Sequence, residues 1–141
     1  MKYDKLIRDN IPAIIEAAGK TATIETMNEA DYRAALLSKL VEEANEVRDA
    51  TPEELATELA DVLEVFDAIL AAFEIDQEAV WKIQFERRAA RGGFEKRLRL
   101  LRVEEKQDVA RDLKAFDELV DLGARLTEGT APLVDFKSES A

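Results

Sequence analysis

Two short blocks decide how this chain folds: Lys39-Leu40-Val41-Glu42-Glu43-Ala44-Asn45-Glu46 and, further along, Glu58-Leu59-Ala60-Asp61. Each carries carboxylates at i, i+3 spacing, Glu43 with Glu46 and Glu58 with Asp61. Residues three or four apart lie on one face of a helix, so each pair points one way. Apolar residues border both pairs: Ala44 and Val47 in the first, Leu59 and Val62 in the second. The acids thus flank an apolar seam, whereas a merely solvating charge more often takes the far face. Between the blocks, Thr51-Pro52-Glu53-Glu54 has the form of a helix start, with a capping threonine, a proline in the first position and a glutamate to reach back. So short a connection makes the two helices antiparallel neighbours, and the four carboxylates can then converge on one volume.

The same periodicity extends outward in both directions. A helix is predicted over residues 3–18 from Ile7, Ile11, Ile14 and Ile15, with Asp9 or Asn10 as cap, Pro12 in the first turn and Gly19 closing it. Residues 21–26 alternate and carry β-branched side chains, which suits a short extended stretch. Asn28 caps the first acidic helix, which runs to about residue 50 with Leu36, Leu37, Leu40, Val41, Ala44 and Val47 as its stripe. The second acidic helix carries a broad apolar face from Leu55 to Phe73. Asp76 caps a fourth helix over residues 77–90, with Val80, Trp81 and Phe85 turned inward. Arg91-Gly92-Gly93-Phe94 breaks it, and residues 97–100 form a connector or short strand. A fifth helix is expected over residues 104–122, with Gly123 as its C-cap and a polar tail from about residue 128. The architecture is all-α, a bundle of about five helices.

Composition narrows the chemistry. The 141 residues suffice for one domain with a single core, and 47% of them are apolar, too many for a disordered chain despite a net charge of −11. There is no Cys and no His. Thiolate nucleophiles, cysteine or histidine metal sites and the Ser-His-Asp triad are therefore excluded, and carboxylates must supply any ligand or base. With 31 acidic and 20 basic residues, binding to a nucleic acid polymer is not expected. No apolar run approaches the ~20 residues of a membrane span, and the N-terminus lacks a signal-peptide segment, so no membrane association and a cytoplasmic location are expected.

Four crowded carboxylates repel at neutral pH, and an oxygen-ligated dication removes that cost. Mg²⁺ suits such donors, with Mn²⁺ as its substitute, because it keeps waters that substrate phosphates can displace. Lys39 shares the face of Glu43 and Glu46, where it can steady a carboxylate or reach a phosphate. Either pair alone fits a solvated helix face; the combination on adjacent helices is more specific. Lys82, Arg87, Arg88, Arg91 and Lys96 cluster around Gly92-Gly93, the densest basic stretch of the chain. They suit phosphate oxygens, and equally a helix C-terminus matched to its dipole. Gly19-Lys20-Thr21 mimics the end of a P-loop, but Ile14 stands where its first glycine belongs.

The motif Lys39…Glu42-Glu43-Ala-Asn-Glu46 followed by Glu58-Leu-Ala-Asp61 resembles the all-α nucleoside triphosphate pyrophosphohydrolase superfamily. The best likeness is to its MazG-like, phosphoribosyl-ATP-pyrophosphohydrolase-like branch, which also shares the block from Tyr3 to Pro12 and the Arg91-Gly-Gly-Phe-Glu-Lys96 segment. The resemblance covers residues 2–101 and implies a catalytic helical domain over 1–101, with 102–141 an extra helix and tail packed on it. It further implies Mg²⁺ held by Glu43, Glu46, Glu58 and Asp61, with Glu42 orienting or deprotonating the attacking water unless it is itself a ligand. Lys39, Arg91 and Lys96 would contact the phosphates, with Arg8, Lys82, Arg87 and Arg88 as secondary candidates. The expected reaction is hydrolysis of a nucleoside triphosphate to monophosphate and pyrophosphate, in a homodimer or homotetramer that clears non-canonical or surplus nucleotides. The rival readings are phosphoribosyl-ATP pyrophosphohydrolase and a non-catalytic acidic interaction module.

Overall fold

Helix start signals and apolar periodicity account for most of the elements in the computed structural model, which describes residues 1, 3–106 and 109–128. These residues form five helices and no strand: α1 (Ile11–Ala17), α2 (Glu29–Asp49), α3 (Leu55–Ala72), α4 (Gln77–Arg91) and α5 (Val109–Glu128). The chain divides into two units, residues 1–93 with α1–α4 and residues 94–141 with α5.

The first unit is built on the antiparallel pair α2–α3. Asn28 caps α2 by accepting the Asp31 N–H at 2.8 Å. The turn at residues 51–54 returns the chain: the Glu54 carboxylate accepts the Thr51 N–H at 3.1 Å, and the Thr51 carbonyl accepts the Leu55 N–H at 3.0 Å. This is the reach-back of a capping box, but regular α-geometry begins only at Leu55, because Thr51 to Glu54 form a tighter turn. At the other end Arg33 closes the pair, donating to the Ala72 carbonyl at 2.9 Å with its guanidinium over the Phe73 ring.

Leu36, Val65 and Leu70 are buried, and Leu40, Val47, Val62, Phe66 and Ile69 are half-buried around them. Burial of one such side chain stabilises by about 1.5–3 kcal/mol when complete. Much of the apolar surface is not covered: Leu37 and Val41 on α2, and Leu55, Leu59 and Leu63 on α3, are between 40% and 61% exposed. On each helix these residues recur four apart, so each set forms an open stripe.

Elsewhere the observed structure departs from expectation. Helix α1 is shorter than predicted, with Asn10 at the cap position but no side-chain cap bond. It ends in a Schellman arrangement, Gly19 N–H to Glu16 O at 2.9 Å and Lys20 N–H to Ile15 O at 3.2 Å, with Gly19 at φ 76°. Residues 20–28 are irregular, since the alternating stretch has no partner strand among the described residues. In α4 only Val80 is half-buried; Trp81 and Phe85 are exposed, because the helix face they share has nothing packed on it within its unit. In the second unit, residues 94–106 are irregular and α5 runs through Gly123, which therefore caps nothing. The expected polar tail beyond residue 128 lies outside the described residues.

Candidate metal centre

On α2 the line that meets α3 reads Leu36, Leu40, Glu43, Val47, a helical run of i, i+4, i+7 and i+11 positions with a carboxylate in place of a hydrocarbon. Glu43 is the one charged residue that is buried among the described residues, at 9% exposure. A buried carboxylate needs compensation, and the Lys39 ammonium pairs with it at 3.0 Å from one turn earlier. From α3, Glu58 and Asp61 bring their carboxylates to the same point. One oxygen each from Glu43, Glu58 and Asp61 lies within 4.8 Å of the others.

The crowding has an electrostatic signature. The Glu58 carboxyl is pushed above its usual pKa by partial desolvation and then by the charges of Glu46, Asp61, Glu43 and Glu54. Lys39 is drawn down by burial, but the hydrogen bonds and charges of Glu43 and Glu42 outweigh that and raise it, so it stays an ammonium. Glu42 is lowered, first by its hydrogen bond from Lys39 at 3.1 Å and further by Lys5 at 3.3 Å. The N-terminal segment reaches the cluster a second time through Arg8, whose Nη2 donates to Asp61 Oδ1 at 2.5 Å.

Four of the residues singled out from sequence thus come together directly: Lys39, Glu43, Glu58 and Asp61. Glu42 joins them through Lys39. Glu46 is exposed and outside the close group of three, though its charge is felt at Glu58. Arg91 is the exposed last residue of α4, and Lys96 is exposed in the turn that opens the second unit. An open groove of about 540 Å³ runs beside the carboxylates, lined by Glu42, Asn45, Glu46, Asp49, Ala50, Glu54 and Glu58. Sequence reasoning missed Lys5 at the site, and it read Glu54 only as a cap. The pairings of Lys5 and Arg8 span 37 and 53 residues, which no local spacing rule can see.

The donor set is made of carboxylate oxygens alone. Hard divalent cations such as Mg²⁺ and Mn²⁺ match it; soft metals do not.

The sequence model of the family described as phosphoribosyl-ATP pyrophosphohydrolase matches residues 11–88, which include every one of these carboxylates. An uncharacterized protein of Mycolicibacterium smegmatis is 44% identical over 54 residues, covering 38% of this chain and 55% of that protein, so the match spans about half of the relative's length. No solved structure matches the chain.

Proposed function

Because the chain belongs to the phosphoribosyl-ATP pyrophosphohydrolase family, within the MazG-like all-α pyrophosphohydrolases, we propose that it hydrolyses a nucleoside triphosphate between the α and β phosphates, releasing a nucleoside monophosphate and pyrophosphate. The observation that carries this reading is the buried Glu43 with Glu58 and Asp61 gathered within 4.8 Å. Three acids so placed are costly in an empty helix pair and useful around a dication.

Glu43, Glu58 and Asp61 would hold Mg²⁺, or Mn²⁺ in its place, with Glu46 as a fourth carboxylate. Once bound, the cation supplies positive charge against the phosphoryl oxygens and acidifies a water. The chain itself does the rest. Glu42 orients or deprotonates the attacking water, a task left to a carboxylate because the chain has no His. Lys39 balances the charge that develops on the phosphates, with Arg91 at the end of α4 as a second cation. The groove lined by Asn45 and Ala50 offers the adjoining space for the nucleoside. A homodimer, or a tetramer of such dimers, covers the open apolar stripes of α2 and α3. The proposed setting is the cytoplasmic nucleotide pool; among the described residues no helix is long and apolar enough to cross a membrane.

A second reading takes phosphoribosyl-ATP itself as substrate, and the description of the matching family favours it. One assay separates the possibilities: pyrophosphate release measured with Mg²⁺ over canonical and modified triphosphates, with phosphoribosyl-ATP included. Turnover of triphosphates is expected. Turnover of phosphoribosyl-ATP alone selects the second reading, and no turnover of any substrate leaves an acidic interaction module.

A further inference from the structure

Arg8 is placed on a carboxylate that the proposed cation also needs. Its Nη2 is 2.5 Å from Asp61 Oδ1, and Asp61 is one of the three acids whose oxygens converge. Among the described residues the Arg8 side chain makes no other hydrogen bond or ion pair. The pair is half open to solvent, with the Arg8 side chain 56% and the Asp61 side chain 35% exposed, so it is easily exchanged.

The backbone behind Arg8 is held. Leu6 and Ile7 are half-buried, and the Arg8 carbonyl accepts the Ile11 N–H at 3.1 Å where the chain turns into α1. The long side chain can therefore swing by several ångströms from a fixed base. Lys5, three residues earlier, lies against Glu42 in the same way. The segment before α1 thus lays two cations over the acidic cluster.

Resting on the metal reading given above, we propose that Arg8 is a placeholder: it neutralises Asp61 until a dication arrives, is displaced by it, and then turns its guanidinium to the substrate's phosphates. A dication at Asp61 and a guanidinium at hydrogen-bond distance from the same oxygen repel each other, so the two exchange. The displaced fork stays tethered beside the incoming triphosphate, whose oxygens match its geometry better than an ammonium would.

The proposal requires that loss of Arg8 act on the two ligands in opposite directions. Mn²⁺ binding is read by electron paramagnetic resonance of the free ion, and binding of inorganic tripolyphosphate by calorimetry at saturating Mg²⁺, both on the full chain. For Arg8→Ala, Mn²⁺ should bind about two- to fivefold tighter, because a weak competing pair is gone. Tripolyphosphate should bind at least about fivefold more weakly. Arg8→Lys, which keeps the charge and loses the fork, should bind Mn²⁺ like the wild type and tripolyphosphate more weakly. If both affinities fall together, or neither changes, Arg8 is a structural tie and the proposal is overturned; the same holds for any other pattern. A wild-type chain that takes up no Mn²⁺ overturns the metal assignment itself, and this inference with it.

Discussion

Glu43 and Lys39 form the decisive pair at the scale of single residues. Lys39 is mostly buried and holds both Glu42 and Glu43. Removing it leaves a carboxylate in the α2–α3 seam without its ammonium. Lys39→Ala is therefore expected to lower the stability of the metal-free protein by about 1–3 kcal/mol. Mg²⁺ should restore more of the melting temperature in the variant than it adds to the wild type, and thermal melts with and without the ion check this. Glu43→Gln keeps the shape and removes the charge; pyrophosphate release is expected to fall by at least about a hundredfold while the circular dichroism spectrum is retained. Glu46→Gln should also reduce turnover, and unchanged activity there would limit the site to the three converging carboxylates. Glu58 and Asp61 were legible in the sequence because i, i+3 spacing is local and a helix translates it into a shared face, whereas Glu46, spaced the same way from Glu43, stays exposed outside the group of three. The cations at Lys5 and Arg8 were hidden by distance along the chain, since their partners are set by how the N-terminal segment folds back.

The helices themselves were legible where a side chain marks the boundary. Asn28 and Asp76 accept backbone N–H groups of Asp31 and Glu78, as their residue types promise. Burial was less legible. The periodicity of α4 announces a stripe through Trp81 and Phe85 but not what covers it, and both are exposed here. The end of α3 carries an unmarked irregularity: Glu74 takes φ 53° in a Schellman arrangement, with Ile75 N–H to Leu70 O at 2.9 Å. A left-handed conformation disfavours a residue with a Cβ by about 1–2 kcal/mol, partly offset by the greater unfolded-state freedom of glycine. Glu74→Gly is thus expected to stabilise the chain by roughly 0.5–1 kcal/mol in urea unfolding; destabilisation would mean that the carboxylate has a role at that corner.

For the whole molecule, charge and exposed apolar surface point to different requirements. A net charge of −11 disfavours an empty acidic site and is relieved locally by a dication. The stripes through Val41 and Leu59 are exposed, and the proposed second copy of the chain would pack there. Light scattering should give a dimer or tetramer for the wild type and a monomer for the double variant Val41→Glu/Leu59→Glu, because charges directly across a two-fold interface meet their own kind. A wild-type monomer at micromolar concentration would contradict the expected assembly. The sequence does not distinguish these open stripes from the core, since exposed and buried leucines have the same periodicity.

The site can be tested most directly by anomalous diffraction from crystals grown with Mn²⁺. A single strong peak bounded by carboxylate oxygens of Glu43, Glu58 and Asp61 is expected, with Arg8 moved off Asp61. Crystals that hold Mn²⁺ elsewhere, or none at all while these three side chains keep their present positions, would contradict the assignment of the cluster as a metal centre.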